Sequence, residues 1–196
     1  SAAHRIGSMV PSGATPRRQA ASSKGESTAF WTREKIAEIS PGLPAKTLAD
    51  GTESTREIVD SSNAVVMVAV DDDGNLLFVR QYRKAPEVEL LELPAGVIDP
   101  GETPLEAAQR ELREETGYAG GTLLELGSFY AAPGGLTELL YAYLATDLVE
   151  DPLPPDEDER IEIERMTFAV AIAEAYAGRF HDAKTLASLL LAQPHL

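Results

Sequence analysis

The chain has 196 residues, of which 43% are hydrophobic, so it is long enough for one domain with a sizeable core. Its formal net charge of −15 argues against nucleic-acid or anionic-membrane partners, because both would repel it. The lack of cysteine excludes disulfides, thiolate metal sites and cysteine nucleophiles, and it is compatible with the cytoplasmic location that we expect. No run of residues approaches the roughly 20 apolar positions of a membrane helix.

The N-terminal part differs in composition from the rest of the chain. Residues 1–28 are rich in Ser, Ala, Gly, Pro and Arg, which predicts a disordered tail. Gly7-Ser8-Met9 is typical of a cloning scar before a start methionine, so residues 1–8 are interpreted as an expression scar. Residues 29–60 predict short strands with a hairpin turn at Asp50-Gly51, and residues 61–196 hold the remaining elements.

Further strands are predicted from apolar runs and from alternation of apolar and polar residues. They are Ala64–Val70, Leu76–Tyr82 across a hairpin turn at Asp73-Gly74, the pair Leu123–Ala132 and Leu139–Leu144, and a half-exposed strand around Ile161 and Ile163. The short runs separated by turn residues are typical of a β-meander.

Three segments predict helices. In Pro104–Thr116, the preceding Thr103 and the following Glu106 form a capping box, and Gly117 supplies the C-terminal stop. The other two segments are Ala169–Ala177 and Asp182–Ala192, and the second is rich enough in Leu and Ala to be buried against a sheet.

The first helix has an acidic face and an apolar face. Glu111, Glu114 and Glu115 stand at i, i+3 and i+4, so their carboxylates share one side of the helix. The apolar stripe that should contact the sheet consists of Leu105, Ala108 and Leu112. One reading of the acids is a solvated face relieved by Arg110 and Arg113, and the other is an oxygen cluster for a hard divalent cation.

The wider spacing favours the cation cluster. The chain matches the pattern G-x5-E-x7-R-E-U-x-E-E-x-G-U, where U is an apolar or aromatic residue. The matching residues are Gly96, Glu102, Arg110, Glu111, Leu112, Glu114, Glu115, Gly117 and Tyr118. Chance would produce the seven fixed positions on the order of once in a million chains. With every position present, the pattern resembles the Nudix box of the Nudix hydrolases.

The resemblance implies a fold, a cofactor and a set of metal ligands. The fold would be α/β (α+β), a Nudix α/β/α sandwich with a mixed central sheet and an N-terminal β-rich segment. The cofactor would be Mg²⁺, or Mn²⁺ in its place. The ligands would be the carboxylates of Glu102, Glu111 and Glu115 and the carbonyl of Ala95, with Glu114 completing the shell and Arg110 orienting Glu114.

Segments outside the box resemble the ADP-ribose pyrophosphatase branch of the family. They are Gln81-Tyr82-Arg83, Glu92-Leu93-Pro94-Ala95-Gly96 and Ala132-Pro133-Gly134. The resemblance implies that Arg56 and Arg83 hold the diphosphate of the substrate, although either arginine would also suit a surface ion pair. Pro133 and Gly134 mark the branch, and a plain turn between strands is their alternative.

Two glutamate-bearing loops complete the implied site. Glu138 resembles a loop glutamate near the substrate, but the preceding Gly135-Leu136-Thr137 departs from the family, which often has an aromatic residue and an aspartate there. The acidic segment 155–161 resembles a loop that supplies the general base, Glu159 first and Glu157 second, unless it is only a flexible acidic loop.

The resemblance thus implies hydrolysis of a small nucleoside diphosphate substrate, ADP-ribose, to AMP and ribose 5-phosphate. It also implies a homodimer formed through residues 29–60. Two alternatives stay open: hydrolysis of another nucleotide-sugar or of an oxidised nucleotide, and a non-catalytic module that only binds nucleotides. The complete set of box carboxylates favours an enzyme over the module.

Overall fold

The computed structural model describes residues 50–51, 58–154 and 160–196, together with the backbone of three two-residue strands that precede residue 58. These residues belong to one unit, Ile36–Leu196. The strands are β1 Glu38–Ile39, β2 Lys46–Thr47, β3 Glu53–Ser54, β4 Val59–Asp60, β5 Ala64–Ala69, β6 Asn75–Arg83, β7 Val88–Glu92, β8 Ala95–Val97, β9 Tyr118–Tyr130, β10 Leu139–Glu150 and β11 Glu162–Thr167. The helices are α1 Pro104–Thr116, α2 Phe168–Tyr176 and α3 Ala183–Ala192, followed by a 3₁₀ turn, Gln193–His195.

A mixed four-stranded sheet has the order β8-β5-β10-β9, in which β5 and β10 are parallel and the other two pairings are antiparallel. An antiparallel three-stranded sheet has the order β11-β6-β7. The short strands form the pairs β1-β4 and β2-β3. The mixed sheet agrees with the predicted fold class.

Strand β5 is buried on both faces because a helix covers each side of its sheet. Val65 and Met67 point into a core cluster with Ala108 and Leu112 of α1. Their neighbours in β5 point the other way, into a cluster with Leu189 and other residues of α3. All six residues of the strand are buried, as expected for a near-continuous apolar run between two layers. The arrangement is the predicted α/β/α sandwich.

The predicted meander is wrong in one place. The turn before β6 forms as expected, since the amide of Asp71 donates to the carbonyl of Asn75 at 2.9 Å. Only an isolated bridge between Val70 and Leu76 joins the two strands, however, because β5 and β6 enter different sheets. A local turn signal does not specify which strands pair over longer distances.

Two apolar positions face a different way from their predicted one. Leu105 was predicted to contact the sheet, but its side chain is 49% exposed, and Ala107 is buried in α1 instead. Ile163 in β11 is also exposed, whereas Met166 packs against the core. Separately, no helix in the described part of the chain is long and apolar enough to cross a membrane.

Both ends of α1 form as the sequence predicts. The hydroxyl of Thr103 accepts a hydrogen bond from the amide of Glu106 at 3.3 Å, and the Glu106 carboxylate accepts one from the amide of Thr103 at 2.8 Å. Gly117 ends the helix in the left-handed conformation with φ of 78°. These caps fix where α1 begins and ends, and hence where its carboxylates lie.

The cap at Thr103 should therefore contribute measurably to stability. Thr103→Ala should lower the free energy of unfolding by about 1 kcal/mol, because the amide of Glu106 loses its acceptor. Urea denaturation followed by circular dichroism measures the change. Thr103→Ser, which keeps the hydroxyl, is the matched control, and equal stability of the two variants would contradict the assignment.

Candidate active site

The site begins where α1 crosses the short strand β8. A Cβ atom added to Gly96 would lie 1.9 Å from Cδ of Glu111, so the missing side chain is what lets the Glu111 carboxylate lie against the strand. Next to it, the Glu115 carboxylate accepts a hydrogen bond from the amide of Ala95 at 2.8 Å and is only 5% exposed. Two of the predicted metal-ligand carboxylates thus lie directly on β8.

Arg110 connects the other acids of the cluster. Its Nε and Nη2 atoms donate to the two oxygens of Glu102 at 3.0 and 2.9 Å. Its Nη1 atom donates to Glu111 at 2.7 Å and to Glu114 at 2.9 Å, and Nη2 also donates to the carbonyl of Val97. The hydrogen bond from Arg110 is the main cause that holds the pKa of Glu102 below its ordinary value. One guanidinium therefore gathers three carboxylates beside β8.

The donor chemistry of this cluster suits a hard divalent cation, which prefers carboxylate oxygens. In the side-chain arrangement described, however, no group of three or more Asp, Glu or His residues in the described ranges has the geometry of a metal site. Three of the carboxylates are turned toward Arg110 instead. The amide of Ala95 makes the contact with Glu115, whereas the predicted metal ligand is the carbonyl of Ala95. A rotation of the flexible glutamate side chains would free their oxygens for an ion.

A cavity of about 320 Å³ lies next to the cluster. Strand β8 belongs to both, because Ala95, Gly96 and Val97 line the cavity and also contact Glu115, Glu111 and Arg110. The polar residues that line the cavity are Arg83, Glu138, Asp182 and Lys184. Strand β8 thus lies between the acidic cluster and the cavity that Arg83 lines.

A buried carboxylate holds two of the cavity's cations. Glu92 is 1% exposed and accepts hydrogen bonds from Nε and Nη2 of Arg83 at 2.9 and 2.7 Å. Lys184 also donates to Glu92. Burial by itself would raise the pKa of Glu92, but the hydrogen bonds and charges of Arg83 and Lys184 outweigh it and lower the pKa. Arg83 is therefore an ion-pair partner and a cavity residue at the same time.

The loop that carries Pro133, Gly134 and Glu138 lies between β9 and β10. Pro133 and Gly134 are exposed in a turn in which the amides of Gly135 and Leu136 donate to the carbonyl of Ala132. Glu138 is half-buried at the cavity, and burial raises the pKa of its carboxyl group. Only Glu138 of the three is among the cavity residues.

Three predicted site residues, Arg56, Glu157 and Glu159, lie outside the described residues. Conversely, no role was predicted for Asp182 and Lys184, which line the cavity, or for Glu92, which binds Arg83 and Lys184. Glu92 had one available signal, because it is an acid at the end of a mostly apolar strand that runs into the box. Lys184 had no such signal, since it lies near the start of a helix that the sequence predicts only as part of the core.

The buried position of Glu92 predicts a stability effect that depends on pH. Glu92→Gln should destabilise the protein by roughly 3 kcal/mol at neutral pH, because two cations lose their buried partner. The lowered pKa of Glu92 means that its contribution is complete above the ordinary value of 4.5 and is lost as the pH falls through the lower folded value. The difference between the wild type and the variant should therefore shrink below about pH 4.

Urea denaturation over a pH series measures this difference. Glu89→Gln is the control, because Glu89 is an exposed carboxylate of the same strand. A constant difference between wild type and Glu92→Gln across the series would show that the charge of Glu92 does not stabilise the fold.

The chain is similar in sequence and in structure to known proteins. A model of the NUDIX domain matches residues 61–189. An ADP-ribose pyrophosphatase of Bacillus subtilis (strain 168) is 39% identical over 140 residues, which cover 70% of this chain and 76% of that protein. A GDP-mannose pyrophosphatase of Yersinia enterocolitica is 34% identical over 153 residues, covering 73% and 80%. The crystal structure of an ADP compounds hydrolase superposes with a TM-score of 0.69 at 26% identity, covering 82% of this chain and 92% of that one. The chain therefore belongs to the Nudix domain family.

Proposed function

We propose that this protein is a magnesium-dependent pyrophosphohydrolase that splits the diphosphate bond of ADP-ribose and releases AMP and ribose 5-phosphate. One observation carries the proposal: β8 joins the carboxylate cluster of the Nudix box to a cavity lined by Arg83. A diphosphate in this cavity would meet the cation ligands on one side and a guanidinium on the other. The similarity to the Bacillus subtilis ADP-ribose pyrophosphatase supports the choice of substrate.

Nudix pyrophosphatases generally need a divalent metal ion, and we propose Mg²⁺, with Mn²⁺ as a substitute. Glu102, Glu111 and Glu115 and the carbonyl of Ala95 would hold it, with Glu114 completing the shell. When bound, the ion neutralises phosphate oxygens and favours deprotonation of a water molecule. Binding requires the carboxylates to exchange their hydrogen bonds with Arg110 for the ion.

The protein's own side chains then orient the substrate and its water. Glu92 fixes Arg83 through its Nε and Nη2 atoms, and the Nη1 side of this cavity-lining guanidinium would donate to a phosphate oxygen. Arg56 would contact the same diphosphate. We assign Glu159 as the general base, with Glu157 as second choice, because a loop can close after the substrate has bound. Pro133 and Gly134 would shape the entrance next to Glu138.

A second candidate substrate follows from a specific observation. The Yersinia enterocolitica relative is a GDP-mannose pyrophosphatase, and it covers slightly more of this chain than the Bacillus relative does. Turnover of ADP-ribose and GDP-mannose by the same preparation, with products identified in ¹⁸O-labelled water, separates the two and locates the attacked phosphorus. Faster turnover of GDP-mannose or of an oxidised nucleotide would overturn the ADP-ribose assignment.

We also propose the organisation of the full chain. Residues 1–28 form a tail whose first eight residues are an expression scar, residues 29–60 form a dimerisation segment, and residues 61–196 form the catalytic domain. The protein is proposed to act as a cytoplasmic homodimer without nucleic-acid or membrane partners. Sedimentation of the full chain and of a chain beginning at residue 61 tests the role of residues 29–60.

Removal of one ligand carboxylate should stop the reaction. Glu115→Gln should lower kcat for ADP-ribose by at least about 100-fold, because a neutral amide binds a divalent ion poorly. The fold should persist, since the amide oxygen can still accept the hydrogen bond from Ala95. Glu106→Gln is the control on the same helix, because glutamine also completes a capping box. Equal activity of the two variants would remove Glu115 from the metal site.

The close approach at Gly96 gives an independent test. Gly96→Ala should lower kcat by roughly 10- to 1,000-fold, because the new methyl group would overlap the Glu111 carboxylate and force it off β8. The melting temperature should change little, since Glu111 is a flexible side chain that can move. Gly120→Ala is the matched control, because the new methyl group there would also crowd a flexible side chain, that of Leu123, but no residue of the site. Full activity of Gly96→Ala would show that Glu111 need not lie against the strand.

A further inference from the structure

We propose that Glu138, Asp182 and Lys184 form a subsite for the hydroxyl groups of the sugar attached to the diphosphate. The inference rests on the proposed function and assigns these residues to the recognition of the sugar. The three side chains line the same cavity as Arg83 and Gly96, at its border with the start of α3. Neither the Nudix box nor the segments that resemble the ADP-ribose branch assign Asp182 or Lys184.

The local charge favours a sugar over another phosphate. Lys184 pairs with the carboxylates of Glu92 and Asp182, and Glu138 lines the same cavity as Lys184. Among the described residues that line the cavity, the cations are Lys184 and Arg83, so this part of the cavity has no positive excess to attract an anion. Sugar hydroxyls are neutral, and each one can donate to a carboxylate and accept from an ammonium group.

The side chains are held in place for this task. Asp182 caps α3 by accepting hydrogen bonds from the amide and the hydroxyl of Thr185 at 3.0 and 2.6 Å. Lys184 has an ion-pair distance of 3.0 Å to Asp182, donates to the buried Glu92, and leaves 15% of its side chain exposed. An ammonium group has three donors, so these contacts do not exhaust Lys184. Prearranged polar groups of this kind lower the entropic cost of ordering the site on binding.

The subsite also lies at a suitable place along the substrate. Arg83 and Asp182 line the same cavity as Ala95, and the amide of Ala95 donates to Glu115 of the cluster. A diphosphate held between the cluster and Arg83 would therefore direct its attached group toward α3.

Binding of ADP-ribose and of ADP, which lacks the sugar, separates this role from phosphate binding. Isothermal titration calorimetry on the full chain in EDTA measures both affinities without turnover. The variants are Glu138→Gln and Asp182→Asn; asparagine also caps helices well, so α3 should be retained. Glu164→Gln, on β11 and paired with Arg80 outside the cavity, is the control.

The wild type should bind ADP-ribose more tightly than ADP. Each subsite variant should lose roughly 10- to 100-fold in affinity for ADP-ribose while its affinity for ADP stays the same. Equal changes for the two ligands, or unchanged affinities, would overturn the subsite. No preference of the wild type for a sugar-bearing ligand would overturn it as well.

The titrations also distinguish a wrong subsite from a wrong substrate. If the wild type neither hydrolyses ADP-ribose nor prefers it to ADP, the same titrations are made with GDP-mannose and GDP. A selective loss for GDP-mannose in Glu138→Gln would support the subsite while rejecting ADP-ribose as the substrate. Absence of a selective loss in both ligand pairs would reject the subsite, whatever the enzyme hydrolyses.

Discussion

The contact between α1 and β8 is the constraint on which the site depends. Glu111 can lie against the strand only because residue 96 has no side chain, and Glu115 is fixed there by the amide of Ala95. Arg110 then draws Glu102 and Glu114 to the same place. Four like charges would otherwise separate. The apolar face of α1 is buried in the core, and this packing offsets the repulsion between the carboxylates.

Much of this was predictable from local sequence. The capping box and Gly117 gave the bounds of α1 correctly, because caps act over a few residues. The two-sided burial of β5 followed from its unbroken apolar run. Pairing across sheets was harder: β5 and β6 were predicted as neighbours in a meander, yet they separate after one bridge. Strand partners are chosen by long-range packing, which a turn signal does not encode.

Contacts between single side chains near the cavity were also hard to predict from local sequence. Lys184 and Glu92 are 92 residues apart in the chain and meet only because α3 packs beside the strands. Each looked ordinary in sequence: an acid at a strand end and a lysine at a helix start. Burial shows their importance, because the Glu92 carboxylate is 1% exposed and must be paired with a cation to remain charged. Arg83 was identified because the resemblance assigns it a role, whereas Glu92 lies in a resembling segment without an assigned role.

The net charge of −15 limits how this protein could attract a diphosphate substrate. An acidic protein repels a diphosphate at long range, so attraction must come from a few placed cations at short range. A bound metal ion would supply one such charge at β8, and Arg83, fixed by Glu92, would supply another. Because Glu92 also pairs with Lys184, a single buried acid links Arg83 to the start of α3. In the function that we propose, the residues for catalysis and those for specificity would therefore share one structural support.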